Sequence, residues 1–218
     1  MQVNLVYKLC KLRYDLSMRS THAPRKTVGD MRRFILREAF ELFAKEGVSG
    51  VTMRAIAKRI GYSPAAIYRY FPKKLDIFHA LKAQGFAKFN AAMAPHYAIG
   101  DVHEKLIAGA RGYIRFAMEN PVDYELMFHL AGAVRPEGDP DDDSPPRKAF
   151  NLLLGLIGEC MEAGVAPRGD PLPAALSLWS TLHGFASLLV RGKLAPLCPE
   201  GEVDQMVDAV VAFTMRNV

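Results

Sequence analysis

The sequence G-Y-S-P-A-A-I-Y-R-Y-F-P-K-K, residues 61–74, encodes a very short helix between two breaks. Ser63 can accept a hydrogen bond from the first helical turn. Pro64 follows at the first helical position, where a missing N–H costs nothing because that group has no intrahelical partner. Pro72 ends the helix, since the residue before a proline is disfavoured in the α conformation. The sequence therefore predicts a well-capped helix of about two turns over residues 63–71.

A second short helix is predicted immediately before this one. Thr52 can cap it, and residues 61–63 form a tight turn that contains a glycine. Two helices joined in this way form a helix-turn-helix, whose second helix enters the DNA major groove. Ile67 and Phe71 lie one turn apart and are expected to hold the second helix on the core. Its remaining face, which is aromatic and basic, is then expected to contact DNA.

The charge is divided unevenly along the 218 residues. The net charge is +5, yet residues 1–88 hold 18 Lys and Arg against 6 Asp and Glu, and residues 89–218 hold 10 against 17. A basic half beside an acidic half indicates that one part meets a polyanion, of which nucleic acid is the commonest for such a protein. The alternative is a solvated basic surface.

The composition also argues against several classes of protein. An uncharged apolar run of about 18 residues is not found, and the basic N-terminus lacks the apolar core of a signal peptide, so a cytoplasmic protein without a membrane span is expected. Cys10, Cys160 and Cys198 have no CxxC spacing, so reduced thiols are expected and neither a metal site nor a cofactor is predicted. No catalytic motif is present, and the adjacent acids in residues 139–143 lie in a proline-rich loop, so no enzyme activity is predicted.

Apolar residues recur at steps of three and four along most of the chain, which predicts an all-α fold. Three segments are proposed: a disordered basic arm over residues 1–26, a helix-turn-helix domain over 27–74 with its motif at about 52–71, and a larger helical domain over 75–218. About nine helices are predicted, over residues 27–47, 52–60, 63–71, 75–93, 102–118, 121–132, 147–163, 171–192 and 201–216.

Residues 30–80 resemble the N-terminal domain of the TetR/AcrR family of bacterial one-component repressors. The similarity rests on three motifs: I-L-x-x-A-x-x-L-F-x-x-x-G at residues 35–47, V-T-M-R-A-I-A-K-R-I-G at 51–61 and S-P-A-A-I-Y-R-Y-F-P-K-K-L-D-I-F at 63–78. Residues 120–128 and the motif L-W-S-T-L-H-G-F-A-S-L-L at 178–189 are similar to one branch of that family, whose C-terminal domain carries a Trp/His/Gly motif.

The resemblance implies a set of DNA-contacting residues. Thr52 would contact a phosphate and Arg54 a base edge, since Arg to guanine is the commonest specific contact. Many relatives have His in place of Tyr70, which makes that contact less certain, and Tyr68 has packing as its alternative. Lys58, Arg59 and Arg69 are either contacts or solvated charges. The predicted set is Thr52, Arg54, Ser63, Pro64, Ala65, Ala66, Tyr68, Tyr70 and Lys74.

The resemblance also implies a dimer and a ligand cavity. A two-fold dimer reads two half-sites, and an apolar seam on the last two helices would form it, the alternative being ordinary core. Trp179 and His183 share one helix face and either meet a ligand or fill the core. The predicted seam is Ala175, Leu178, Leu182, Phe185, Leu189, Val203, Met206, Val207, Val210, Phe213 and Thr214. The predicted pocket is Tyr113, Phe116, Tyr124, Met127, Phe128, Met161, Trp179 and His183.

The function expected from these features is that of a ligand-responsive repressor. A homodimer would bind a palindromic double-stranded operator, and an unidentified small-molecule effector would release it. Two alternatives remain open at this point. One is a DNA-binding regulator without small-molecule gating, and the other is redox sensing through Cys160 or Cys198.

Overall fold

The structure is a computed structural model that describes residues 28–128, 143–197 and 202–216, and these residues form helices and no strand. The all-α prediction is therefore confirmed. The predicted arm, most of the acidic loop, Cys10 and Cys198 lie outside the described residues. In chain order the helices are α1 Val28–Gly50, α2 Met53–Ile60, α3 Pro64–Tyr68, α4 Lys74–Tyr97, α5 Val102–Glu119, α6 Pro121–Phe128, α7 Pro145–Glu162, α8 Pro171–Val190 and α9 Val203–Met215.

The described residues fall into two compact units. The N-terminal unit holds residues 28–85 and 122–128, and the C-terminal unit holds 86–121, 143–197 and 202–216. Helix α4 contributes its first half to one unit and its second half to the other. This division differs from the single boundary predicted after Lys74, because α6 packs with the helices of the N-terminal unit.

The core of the N-terminal unit is formed by α1 to α4 and closed by α6. Ile35 of α1, Ile56 of α2 and Ile67 of α3 have essentially no exposed surface. Phe71, which follows α3, and Leu126 of α6 join the same cluster. Buried side chains pack as closely as molecules in an organic crystal. Each of the short helices is therefore stabilised by contacts with its neighbours rather than by its own length.

Two glycines end helical segments of the N-terminal unit. Gly47 interrupts α1 with a φ of 69° and a ψ of −165°, and Gly61 follows α2 with a φ of 73° and a ψ of 30°. Side chains rarely adopt positive φ, so glycine is the residue suited to both positions. The break predicted at Gly47 is therefore present, although a further turn continues to Gly50.

The C-terminal unit packs α5, α7, α8 and α9 together with the second half of α4. Phe89 of α4 meets the rings of Tyr113 and Phe116 edge-on, with centroids 5.6 and 5.1 Å apart. Gly112 lets α4 approach α5 closely, because a Cβ added there would lie 2.6 Å from Nε2 of His96. Packing of this unit thus depends on aromatic contacts between residues distant in sequence.

Two helices differ in length from their predictions. Helix α3 ends at Tyr68 rather than at Phe71, because the chain turns after Ile67, whose carbonyl accepts the N–H groups of both Tyr70 and Phe71. Helix α4 continues to Tyr97 with Pro95 inside its last turn. A proline there removes a single backbone bond near an end that frays in any case.

Candidate nucleic-acid interface

The two helices of the helix-turn-helix are capped as their sequence predicts. The Thr52 hydroxyl accepts the N–H of Ala55 at 3.0 Å, and the Ser63 hydroxyl accepts that of Ala66 at 3.3 Å. Side-chain acceptors of this kind serve the N–H groups of a first helical turn, and the Ala66 N–H also donates to the Ser63 carbonyl at 3.0 Å. Gly61 between the helices completes the turn. The start of each helix is therefore fixed by a side chain that belongs to the motif itself.

Most of the predicted DNA-contacting side chains lie on one exposed surface of the N-terminal unit. Ala66 is half-buried, whereas the other predicted residues of α2 and α3 and their caps are exposed to solvent. Ile67 is the one residue of α3 that is buried in the core, so the short helix presents most of its circumference outward. The exposed members are Thr52, Arg54, Ser63, Pro64, Ala65 and Tyr68.

Tyr70 and Lys74 already have partners within the protein. Tyr70 is half-buried and packs on the core of the N-terminal unit. The Lys74 ammonium donates to the Val48 carbonyl at 2.9 Å and lies 5.3 Å from the centre of the Phe78 ring. A phosphate contact by Lys74 would have to replace the bond to Val48. Both residues therefore join neighbouring elements of the motif in the absence of DNA.

The basic side chains of this surface separate into paired and unpaired groups. Arg59 donates to Glu38 at 2.9 Å, and Glu38 also accepts from Arg37 at 3.1 Å. The Glu38 side chain is largely buried, which makes this pair a link between α1 and α2. Within the described residues, no ion pair or side-chain hydrogen bond is found for four exposed cations of the motif and its flank. These are Arg54, Lys58, Arg69 and Lys73.

This separation refines the alternatives left by the sequence. Arg59 is committed to Glu38, whereas Lys58 and Arg69 keep their charges free for a polyanion. Lys73 was absent from the predicted set, although the Pro-Lys-Lys sequence at the start of α4 signals it. Arg32, on α1, donates to the Tyr70 carbonyl at 2.8 Å, a contact that no local sequence pattern indicates.

Three residues of the predicted ligand pocket form a polar cluster in the C-terminal unit. The hydroxyl of Tyr113 lies 3.0 Å from Nδ1 of His183 and accepts the indole N–H of Trp179 at 3.3 Å. A hydroxyl has one proton and two lone pairs, so the contact with Nδ1 is satisfied by either tautomer of His183 while the hydroxyl accepts from Trp179. The ring of Phe150 meets Trp179 edge-on with centroids 6.2 Å apart.

The other predicted pocket residues divide between the two units. Phe116 and Met161 are buried in the C-terminal unit, whereas Tyr124 and Met127 are buried in the N-terminal unit. The rings of Tyr124 and Phe128 lie 5.0 Å apart. Met127 packs directly on Gly85, where an added Cβ would lie 2.9 Å from its Cγ. The structure thus gathers Tyr113, Trp179 and His183 at one point and places the remainder in packed surroundings.

The predicted dimer seam is partly interior to the chain. Ala175, Leu178, Leu182, Val207 and Thr214 are buried within the single chain. Phe185, Leu189, Val203, Met206 and Val210 are half-buried, and Phe213 is 63% exposed. Every residue of a different row of α8, at steps of four residues, is exposed. It consists of Leu172, Leu176, Ser180, Gly184 and Leu188 and is called the α8 ridge below.

Two family descriptions match this sequence. "Bacterial regulatory proteins, tetR family" matches residues 35–81, which contain the helix-turn-helix. "Tetracyclin repressor-like, C-terminal domain" matches residues 106–214, half of the chain. The chain belongs to the TetR family of bacterial regulatory proteins. Its members are transcriptional regulators, in agreement with the resemblance seen in the motifs.

Individual relatives and solved structures match most of the chain. YobS of Bacillus subtilis strain 168, an uncharacterized HTH-type transcriptional regulator, is 27% identical over 164 residues, 75% of this chain and 81% of YobS. A protein of unknown function from Rhodococcus sp. RHA1 is 27% identical with a TM-score of 0.71, covering 90% of this chain and 99% of its own. AibR, solved with isovaleryl coenzyme A and operator DNA, has a TM-score of 0.65 at 20% identity over 84% of this chain and 96% of AibR.

The part of the chain that the structure describes contains no group of three or more His, Cys, Asp or Glu side chains able to hold a metal ion. By length and composition, α8 is the one described helix that could cross a membrane. The interior helix of a soluble protein passes the same test, so this property of α8 is weak evidence for a membrane.

Proposed function

We propose that this TetR-family chain binds operator DNA as a two-fold dimer in the cytoplasm and represses transcription until a small-molecule effector lowers its DNA affinity. The observation that carries the proposal is the exposed surface of α2 and α3. It combines two capped helix starts with cations that have no partner within the described residues. Unpaired cations beside exposed small residues suit a duplex, because phosphate contacts supply affinity and base edges supply specificity.

The roles on this surface follow from reach and charge. Arg54 would read a base edge, and the small side chains of Pro64 and Ala65 would allow the backbone of α3 to approach the groove. Lys58, Arg69 and Lys73 would contact phosphates, each releasing about one counterion. Replacing Arg54 with Gln should therefore reduce preference for the operator, whereas Lys58→Gln should weaken binding to all duplexes alike.

The α8 ridge is the proposed centre of the dimer seam. An exposed row at steps of four residues is the ridge that two helices interdigitate when they cross at about −50°. Within the described part of the chain, a Cβ added to Gly184 would meet nothing within 4 Å. None of the described residues therefore requires a glycine here for close contact, although an interior helical glycine costs about 1 kcal/mol relative to alanine. Close approach of a partner helix accounts for it.

The seam is tested by sedimentation velocity with a matched pair of variants. Leu176 on the α8 ridge is 41% exposed, and Leu152 on α7 is 43% exposed. The single chain should tolerate both changes to Glu equally, because the two side chains are exposed to the same degree. Leu176→Glu should shift the protein to monomers and Leu152→Glu should leave it dimeric. Equal behaviour of the two variants would remove the α8 ridge from the seam.

The branch of the family with a Trp/His/Gly motif is the one we assign, on Trp179, His183 and Gly184. An effector would meet the polar cluster in the C-terminal unit, where Tyr113 gathers the tips of Trp179 and His183. A second candidate function rests on the same observation. Since these three polar groups already bond to each other, they also suit a DNA-binding regulator without small-molecule gating.

Fluorescence anisotropy decides first whether the chain recognises a sequence. The probe is the intergenic DNA upstream of its own gene, beside a scrambled duplex, at two salt concentrations. Preference for the native duplex by about a thousandfold would establish specific binding. Equal and steeply salt-dependent affinities for both duplexes would contradict specific binding and would show that the chain contacts only the phosphate backbone. On a working probe, candidate effectors that never change the affinity at saturation would favour the ungated alternative.

A further inference from the structure

The recognition helix α3 is too short to hold its own geometry. It has five residues, fewer than the 12 or so that an isolated helix needs to be even marginally stable in water. Ser63 and Pro64 determine where it starts. Its other end leads into a turn outside the helix, and this turn carries Arg69, a residue of the proposed DNA surface. The orientation of that turn must therefore be fixed from elsewhere in the N-terminal unit.

Arg32 of α1 provides such a contact. Its guanidinium donates through Nη1 to the Tyr70 carbonyl at 2.8 Å, between residues 38 positions apart in the chain. The same guanidinium lies 4.1 Å from the centre of the Phe71 ring, and this ring has no exposed surface. One guanidinium therefore holds the turn after Ile67 at two points, by a charged hydrogen bond to its backbone and by a cation–π contact to its anchored ring.

We infer that Arg32 is a positioning residue for DNA recognition. It holds residues 69–71 against α1 so that Arg69 and the outer face of α3 keep a fixed direction relative to α2. This inference rests on the proposed function of the surface. A planar guanidinium can make both contacts at once, whereas a lysine ammonium can make either but offers no flat face for stacking. Arg32 is exposed, so a direct phosphate contact is the competing role.

The neighbouring Arg33 supplies a matched control. Arg33 is also on α1, its side chain is 74% exposed, and it pairs with Asp30 on the same helix. Arg32→Met and Arg33→Met remove the same charge within one residue of each other and keep an unbranched apolar stem. Arg32→Lys restores the charge and one donor. The two Met variants should then lose the same general electrostatic attraction to DNA, whereas only Arg32→Met should also lose the positioning of the turn.

Two assays on the full-length protein measure the effect. In the first, anisotropy with the native and scrambled duplexes gives the specificity ratio and the salt dependence. Arg32→Met should lower affinity for the native duplex about five- to tenfold more than Arg33→Met does. Affinity for the scrambled duplex and its salt slope should match those of Arg33→Met, and Arg32→Lys should recover part of the loss.

In the second assay, hydrogen exchange of residues 64–71 is followed without DNA. Exchange should be faster in Arg32→Met and unchanged in Arg33→Met, because only the first variant frees the turn. Identical exchange in the two Met variants would overturn the inference. A loss shared by both duplexes, with a salt slope reduced by about one, would instead assign Arg32 to a phosphate. If the wild type shows no sequence preference, the proposed function fails while the exchange result still decides the role of Arg32.

Discussion

The hydroxyl of Tyr113 should contribute about 2 kcal/mol to the free energy of unfolding. Tyr113 is 8% exposed, and its hydroxyl bonds to His183 and Trp179 at 3.0 and 3.3 Å. Tyr113→Phe keeps the ring and its edge-on contact with Phe89 and removes only the oxygen. Each of the two hydrogen bonds is worth about 1 kcal/mol net, which gives about 2 kcal/mol for the loss of both.

The assay uses the only tryptophan of the chain, Trp179, which belongs to the cluster itself. Its fluorescence is followed during urea unfolding at a fixed protein concentration, because dimerisation would make the midpoint depend on concentration. With an m-value of about 2 kcal/mol/M, the midpoint of Tyr113→Phe should fall by about 1 M. Tyr62→Phe removes the same atom from an exposed side chain and should shift the midpoint by less than about 0.25 M.

Equal midpoints for the two variants would refute this reasoning. They would mean that the hydroxyl of Tyr113 exchanges its partners for water without loss, so that the cluster contributes nothing to folding.

Three further predictions follow from other positions. Gly61→Ala should lower the free energy of unfolding by about 1 kcal/mol in urea titrations, because an alanine is strained at a positive φ. A Cβ at this position has open space, so no steric clash adds to that cost, and an unchanged free energy of unfolding would contradict the prediction. Burial, and after it the charge of Glu159, raise the pKa of the Cys160 thiol. In a variant whose sole cysteine is Cys160, a thiol reagent should therefore label the native protein at least about a hundredfold more slowly than the unfolded protein, and fast labelling would revive the redox-sensing alternative. Burial raises the pKa of Tyr97 to about 12, above the unfolded value of about 10, so the free energy of unfolding should fall as the pH rises from 10 to 12, by up to about 1.4 kcal/mol per pH unit. The free energy of unfolding of Tyr97→Phe should fall less steeply over that interval, and parallel curves for the variant and the wild type would exclude the effect.

Features encoded by neighbouring residues were predictable from the sequence. The caps at Thr52 and Ser63, the glycine at Gly61 and the all-α fold depend on interactions within one or two turns, and the structure contains all of them. The predicted DNA-contacting residues Arg54 and Tyr68 are exposed for the same local reason, since they lie opposite the apolar positions of their helices.

Features that depend on packing between distant residues were not predictable. An apolar periodicity on α8 shows that the helix buries one face, but it does not say whether the chain or a partner covers that face. Leu178 and Leu182 lie inside the chain, whereas Leu176 faces outward. The contacts of Arg32 with Tyr70 and of Arg59 with Glu38 connect residues far apart in sequence, and no periodicity distinguishes these arginines from free ones.

The order in which the chain is synthesised matters for the N-terminal unit. Its core draws on residues from Met31 to Leu81 and then on Leu126, which has no exposed surface. Leu126 leaves the ribosome roughly 45 residues after Leu81, a delay of about 2 to 9 seconds at ordinary rates of synthesis. Throughout that interval the helix-turn-helix exists with an uncovered apolar patch where α6 will lie. A nascent chain of this protein must therefore remain unaggregated for seconds before its DNA-binding unit is complete, and a fragment ending at Gly85 would retain that patch permanently.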